Sequence, residues 1–170
     1  MIKIGLLSDT HSYLHPKIFE VFKNCDEIWH AGDIGGLETA NRLMDFKPLR
    51  AVYGNIDNHL VRLTFPEVLV FNSEDVKVIM THIGGYPARY SQKAREWIKR
   101  EKPGLFISGH SHILKVMFDQ QNKLLHINPG AAGNNGLHKV ITMVRFVIDK
   151  KEIRDLEVIE LPRNSLGVDV

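Results

Sequence analysis

Apolar positions fall along the chain in two successive patterns. Ile2 to Leu7 is a short, mostly apolar run with no turn former before Ser8, which predicts a buried strand. Over residues 15–24, Ile18, Phe19, Val21 and Phe22 recur at helical spacing behind Pro16, a residue suited to a first helical turn. Residues 27–31 read as a second strand. Gly35-Gly36 then opens a helix with Leu37, Ala40, Leu43 and Met44 on one face. Residues 48–53 predict a third strand, and a less regular stretch leads through Pro66 to another over 67–71. Asn72 to Asp75 supply a turn before a strand over 76–81. A helix begins near Ser91 with Ala94, Trp97 and Ile98 inward, and Pro103-Gly104 stops it. Residues 105–108 form one more buried strand.

From there the pattern changes. Residues 116–119, 123–127, 139–148 and 151–161 read as strands joined by short polar turns such as Asp149-Lys150. A βα-alternating first half and an antiparallel second half predict an α/β fold in which two sheets pack face to face with helices outside. No repeat, low-complexity tract or linker divides residues 1–161, which read as a single domain. Residues 162–170 carry little pattern and read as a C-terminal tail.

Composition narrows the function classes. At 170 residues the chain is long enough to bury a real core, and 44% hydrophobic with 25% charged residues is ordinary for a globular protein. A formal net charge of +2 is too small for nucleic acid or an anionic membrane to be the main partner. Cys25 is the single cysteine, so an intrachain disulfide is excluded and a reducing compartment is expected. Flanked by Asn24 and Asp26, it reads as an inert thiol. No apolar run approaches the roughly 20 residues that span a bilayer, and no signal-peptide pattern precedes Ile2. The expected location is the cytoplasm.

The nine histidines change the picture, because several stand where strands end. Asp9 and His11 follow the first strand, and in extended backbone residues two apart share a side. Asp33 follows the second, Asn55 the third, His82 the strand over 76–81, and His110 and His112 the strand over 105–108. The carboxyl ends of strands are where ligand sites form in open α/β sheets. Seven oxygen and nitrogen ligands exceed the four of one tetrahedral ion. They suit two ions if one carboxylate is shared, the clamp used for in-line displacement at phosphorus. Gly32 and Gly109 let the backbone turn sharply and approach closely.

Asp9-x-His11, Gly32-Asp33, Gly54-Asn55-x-Asp57, His82 and Gly109-His110-Ser111-His112 together resemble the five motifs of the calcineurin-like metallophosphoesterases. The resemblance runs from Ile2 to about Ile159. The His30-Ala31-Gly32-Asp33 lead-in and the Asn128-Pro129-Gly130 turn are similar to the small YfcE-type phosphodiesterase branch. It implies an αββα four-layer fold and a dinuclear centre that activates water or hydroxide toward a phosphodiester bond. Asp9, His11, Asp33 and His112 would hold the first metal. Asp33, Asn55, His82 and His110 would hold the second, with Asp33 bridging. Asp33, Asn55 and Asp57 are the implied catalytic residues. Manganese is the expected metal, and the same N,O set accepts Fe, Ni, Co or Zn. Asn55 supplies an oxygen without adding negative charge opposite an incoming anion.

One position departs from the family. After Gly-Asn much of the superfamily carries a histidine that stabilises the phosphate or protonates the leaving group. Here it is Ile56, which does neither. That limits the chemistry rather than abolishing it, since good leaving groups need little acid assistance and poor alkoxides suffer more. Two rivals remain: a non-catalytic scaffold of the same fold, at which Ile56 hints, and a phosphomonoesterase or nuclease, of which the missing histidine makes the monoesterase harder. A nuclease would need a basic track that the sequence lacks.

Several residues have plainer readings. Taken alone, Asp33 is a helix N-cap, Asn55 a turn former and His82 a strand-end histidine, and only their occurrence as a set favours metal. Ser111 is not read as a nucleophile, since no acid–base pair is spaced for it. His30 reads as a buried histidine behind the ligands, and His15 and His59 as helix-start surface residues. Lys93, Arg95, Lys99 and Arg100 alternate with Glu96 and Glu101 on a solvated face. Tyr86, Arg89 and Tyr90 follow the His82 loop and read equally as contacts to a small-molecule phosphodiester substrate or as surface residues, and the antiparallel half leaves room for a homo-oligomer.

Overall fold

The computed structural model describes residues 1–163. In chain order its elements are β1 (Ile2–Leu7), α1 (Lys17–Val21), β2 (Glu27–His30), α2 (Leu37–Phe46), β3 (Leu49–Ala51), α3 (His59–Thr64), β4 (Val68–Ser73) and β5 (Val76–Thr81). They continue as α4 (Gln92–Glu101), β6 (Leu105–Ile107), β7 (Leu114–Asp119), β8 (Leu124–Pro129), β9 (Val140–Asp149) and β10 (Glu152–Pro162). Ten strands form two five-stranded sheets, in the orders β10-β9-β1-β2-β3 and β4-β5-β6-β8-β7.

The layering follows from which side chains each strand can bury. β1 lies between β2 and β9, and its residues Ile4 to Leu7 are buried. Such a strand has apolar neighbours on both faces, so its sequence reads as a continuous run rather than an alternation. Ile4 and Leu6 join Trp29, Val78, Met80, Ile107, Ile127 and Phe146 in the core between the sheets. Trp29 meets Phe71 edge to face at 5.0 Å, an arrangement that suits aromatic quadrupoles. On the outer side of the first sheet, Leu7 and Ile28 pack with Ile18, Phe22 and Leu43 from the α1 and α2 regions. On the outer side of the second, Ile79 and Phe106 pack with Ala94 and Ile98 of α4. The result is the expected α/β sandwich, helix–sheet–sheet–helix.

Several details differ from expectation. The second half does not form an antiparallel sheet of its own. The β9–β10 hairpin joins the first sheet beside β1, with Ile4 opposite Phe146, while β8 runs parallel to β6. The first helix shrinks to Lys17–Val21, and His15 is buried rather than on the surface, its Nδ1 accepting from the Lys17 amide. Met44 is exposed, so the inward face of α2 is Thr39, Ala40 and Leu43. The irregular stretch contains α3, whose N-cap Asn58 accepts from the Val61 amide at 3.1 Å, and His59 is its exposed first residue. Of the expected tail, Pro162 ends β10 and Arg163 donates to the carbonyls of Gly136 and His138 at 2.7 Å. The rest lies outside the described residues. No helix among the described residues is long and apolar enough to cross a membrane.

Candidate metal centre

The loops after β1, β2, β3, β5 and β6 meet at one place. Past the end of β1, the amides of Asp9, His11 and Ser12 bond to the carbonyls of Gly32, Asp33 and Ile34 at 2.9–3.0 Å, so the two loops stay zipped beyond the sheet. Asp9 and His11 converge for a reason other than strand alternation. Both sit in the left-handed region, with φ 54° and 46°, as do Asp33, His110 and His112. Left-handed backbone at five non-glycine residues costs energy at each and concentrates where function constrains a chain. Gly32 is needed for approach as well as conformation: at φ 96°, a Cβ there would lie 2.7 Å from the His82 ring.

Each of the two central carboxylates divides its oxygens in the same way. Asp9 Oδ2 accepts from the Ser8 hydroxyl at 2.7 Å and the His110 amide at 3.1 Å, and Asp33 Oδ1 accepts from the Ile56 amide at 3.0 Å. The remaining oxygens face the histidines. Asp9 Oδ1 lies 3.2 Å from His112 Nε2, and Asp33 Oδ2 lies 3.2 Å from His82 Nε2 and 3.5 Å from His11 Nε2. Two clusters result, Asp9–His11–His112 and Asp33–His82–His110, each with one donor atom per residue and all donors within 4.8 Å. Asp33 Oδ2 stands between a histidine of each cluster.

The donor set fits divalent cations. Asp9 Oδ1 and His11 Nε2 are buried with no hydrogen-bond partner among the described residues, an arrangement that is costly unless a cation satisfies them. His82 Nδ1 donates to the Ala31 carbonyl at 2.8 Å, which turns Nε2 toward Asn55 Oδ1 at 3.1 Å and Asp33. In the neutral ring that nitrogen is an acceptor facing two acceptors, a conflict that a cation would resolve. Charge coupling is visible in the acids and bases. Burial alone would raise the Asp33 pKa, but the His82 contact holds it below the ordinary carboxylate range. His82 moves up because Asp33 and Asp9 outweigh burial, and His112 moves up because it lies against the Asp9 carboxylate.

A family model described as the calcineurin-like phosphoesterase superfamily domain matches residues 2–151. The chain belongs to this superfamily. A probable metallophosphoesterase of Methanocaldococcus jannaschii is 33% identical over 134 residues, covering 75% of this chain and 67% of that protein. A phosphodiesterase of the same organism is 27% identical over 171 residues, covering 91% and 98%. A solved archaeal phosphodiesterase is 27% identical, with a TM-score of 0.75 over 94% of this chain and all of that one. Vps29 of Entamoeba histolytica, at 15% identity and a TM-score of 0.73, shares the fold over 94% of this chain and 99% of its own.

As a calcineurin-like phosphoesterase, the chain departs from expectation at Asp57. Its side chain is buried and both of its oxygens accept from backbone amides. Oδ2 accepts from the amides of Ile34 and Gly54 at 3.1 and 2.8 Å, and Oδ1 from Gly35 at 2.7 Å. Asp57 thereby ties the Asn55 loop to the Asp33 loop, and no oxygen faces the cluster unpaired. Ile56 is exposed beside it. Asp33 does not cap α2, whose N-cap is Gly36. Ser111 Oγ accepts from Asn128 at 3.1 Å and from the Ile113 amide at 3.2 Å, which suits a loop anchor. His30 is fully buried between Thr10 Oγ1 at 2.9 Å and the Gly32 amide.

Sequence reasoning gave no supporting role at this cluster to Ser8, Asn128 or Asn135. Ser8 orients Asp9, Asn128 bonds to the Gly109 carbonyl at 2.9 Å, and Asn135 lies 3.2 Å from His11 Nδ1. Adjacency to Asp9 was the available signal for Ser8. Asn135 stands too far along the chain to have offered one.

Proposed function

We propose that the protein is a metal-dependent phosphodiesterase acting on small-molecule diesters. The observation that carries the reading is the division of labour within Asp9 and Asp33, each with one oxygen on protein donors and the other among imidazoles. Asp9, His11, Asp33 and His112 would hold one ion; Asp33, Asn55, His82 and His110 would hold the other, with Asp33 shared. Manganese suits this mixed N,O set, which also accepts Fe, Co, Ni or Zn. Two divalent ions, when bound, supply Lewis acidity toward phosphoryl oxygens and hydroxide at neutral pH. The chain's own part is to hold the donors. Ser8 and the Ile56 amide fix the carboxylates, the Ala31 carbonyl fixes the His82 tautomer, and Asp57 positions the loop bearing Asn55.

Diesters are favoured over monoesters by the residue at 56. A monoester adds a second negative charge and needs a proton delivered to the leaving oxygen, and Ile56 offers neither cation nor acid. The test uses metal-stripped protein reloaded in turn with Mn²⁺, Ni²⁺, Zn²⁺ or Mg²⁺ and assayed on bis(p-nitrophenyl) phosphate and p-nitrophenyl phosphate. Metal-dependent cleavage of the diester in preference to the monoester, lost in Asp33→Asn, is the expected result. Two bound metals with no turnover of either ester would overturn it.

A further inference from the structure

Beside His110 lies a cleft of about 350 Å³ that the metal-holding residues do not fill. Its walls are the loop over residues 83–91, which follows His82, and the connection from His110 into β7. The two connections that deliver His82 and His110 therefore also bound the cleft, and those rings stand 5.3 Å apart, edge to face. Any group esterified to a phosphorus held over that pair must leave in a direction these walls limit.

The cleft is built in advance. The Ser91 amide bonds to the Gly84 carbonyl at 2.9 Å, the Ser108 hydroxyl to the Gly85 carbonyl at 2.9 Å, and the Arg89 amide to the Tyr86 carbonyl at 2.8 Å. A loop closed by two bonds of its own and tied to Ser108 by a third is an ordered wall, and preformed walls lower the ordering cost of binding. Its chemistry is apolar and aromatic with cations at hand. Ile83 and Ile113 are 50% and 63% exposed, a large apolar area left to solvent on both sides of one cavity. Lys115 Nζ sits 3.8 Å from the centre of the Tyr86 ring, and Arg89 stands near it. Beneath them His126 is fully buried, stacked on Phe106, and neither ring nitrogen has a hydrogen-bond partner among the described residues. Burial pushes its pKa down to about 4, so the floor is polar but uncharged at neutral pH.

We infer that this cleft binds one ester group of the phosphodiester and selects a flat heteroaromatic one, of which a nucleoside is the type. Isoleucine and tyrosine walls accept the faces of a planar ring, and Lys115 and Arg89 favour its electron-rich edge. A small alkyl group would leave those apolar surfaces wet. The inference rests on the phosphodiesterase reading, because it assigns the part of the substrate that does not react.

The test compares two diesters with one leaving group, thymidine 5′-(p-nitrophenyl phosphate) and methyl p-nitrophenyl phosphate, on Mn²⁺-loaded protein. Both are alkyl aryl diesters, so a difference in kcat/KM reports the retained group. The expected ratio is about ten-fold or more in favour of the nucleoside. It should fall toward one in Tyr86→Ala and, separately, in Ile113→Asp, whose side chain is exposed and not needed for folding. Met44→Gln, on the far helix α2, should keep the ratio. A wild-type ratio near one, or a ratio that survives both cleft variants, overturns the inference. If neither ester turns over, the phosphodiesterase reading fails and calorimetry decides the cleft separately. Thymidine 5′-phosphate binding at least ten-fold tighter than methyl phosphate, and weakened by Tyr86→Ala, supports it. Equal affinities overturn it.

Discussion

The amide of Ile56 donates to Asp33 Oδ1 at 3.0 Å. The residue that departs from much of the family therefore still orients the carboxylate proposed to bridge the ions, through backbone that any side chain would keep. Ile56→His should add an imidazole at an exposed position without losing that bond. The expected effect is selective. Diesters with poor alkoxide leaving groups gain about 100-fold in kcat/KM, and p-nitrophenyl diesters change little. A series graded by leaving-group pKa reads this as a flatter dependence in the variant; parallel lines would show that an imidazole at 56 does not reach the leaving oxygen.

Ser8 is buried, and its hydroxyl holds Asp9 Oδ2 at 2.7 Å while Asp9 Oδ1 faces His112. Removing the hydroxyl frees the carboxylate to rotate away from the histidines. Ser8→Ala should weaken Mn²⁺ binding by roughly 10- to 100-fold, the usual cost of losing a group that orients a metal ligand. The fold should lose only about 1 kcal/mol, one hydrogen bond's worth. Calorimetric titration beside a urea melt separates the two, and wild-type affinity in the variant would refute the orienting role.

Why was the site more legible than its supports? Candidate ligands announce themselves by type, and a glycine beside an acid or histidine marks a sharp turn at a strand end. The ends of α4 were equally plain, since Ser91 caps it through the Ala94 amide and Pro103-Gly104 stops it. Partner choice between strands was not legible. β1 pairs with β9, some 140 residues along the chain, and an apolar run carries no label for its neighbour. The alternation argument for Asp9 and His11 expected them to converge from extended backbone, whereas they converge from left-handed backbone. The backbone contacts of Asp57 were not legible either, for a related reason. Its partners, the amides of Ile34 and Gly35, become neighbours only once two loops have folded together.

Asp57 offers a direct test of positioning against chemistry. Its two oxygens accept three backbone amides, which an asparagine with one oxygen cannot reproduce, and the new NH₂ would confront an N–H. Asp57→Asn should cost roughly 2–3 kcal/mol in stability and weaken metal binding as the Asn55 loop comes free. Urea unfolding of the metal-free protein checks the first and Mn²⁺ titration the second. An unchanged midpoint and affinity with a lost kcat would instead place Asp57 on the reacting groups.

Acid should expose the two histidines buried in neutral form. Burial holds His126 and His30 down to about 4, against an ordinary value near 6.5. Between those limits the unfolded chain binds protons that the folded protein refuses, so stability is complete above pH 6.5 and falls as the pH drops toward 4. His82 and His112, whose pKa values move up, contribute with the opposite sign, which blurs the curve of the wild type alone. Replacing one neutral histidine isolates its share. His126→Phe keeps a ring stacked on Phe106 and removes the titration, so the difference in unfolding free energy between the two proteins should change by roughly 2–3 kcal/mol from pH 7 to pH 4.5. Chelator in both samples prevents loss of bound metal from entering the comparison. A difference that stays flat across that range would mean His126 is protonated within the folded protein, and the cleft floor beneath Tyr86 would then carry charge.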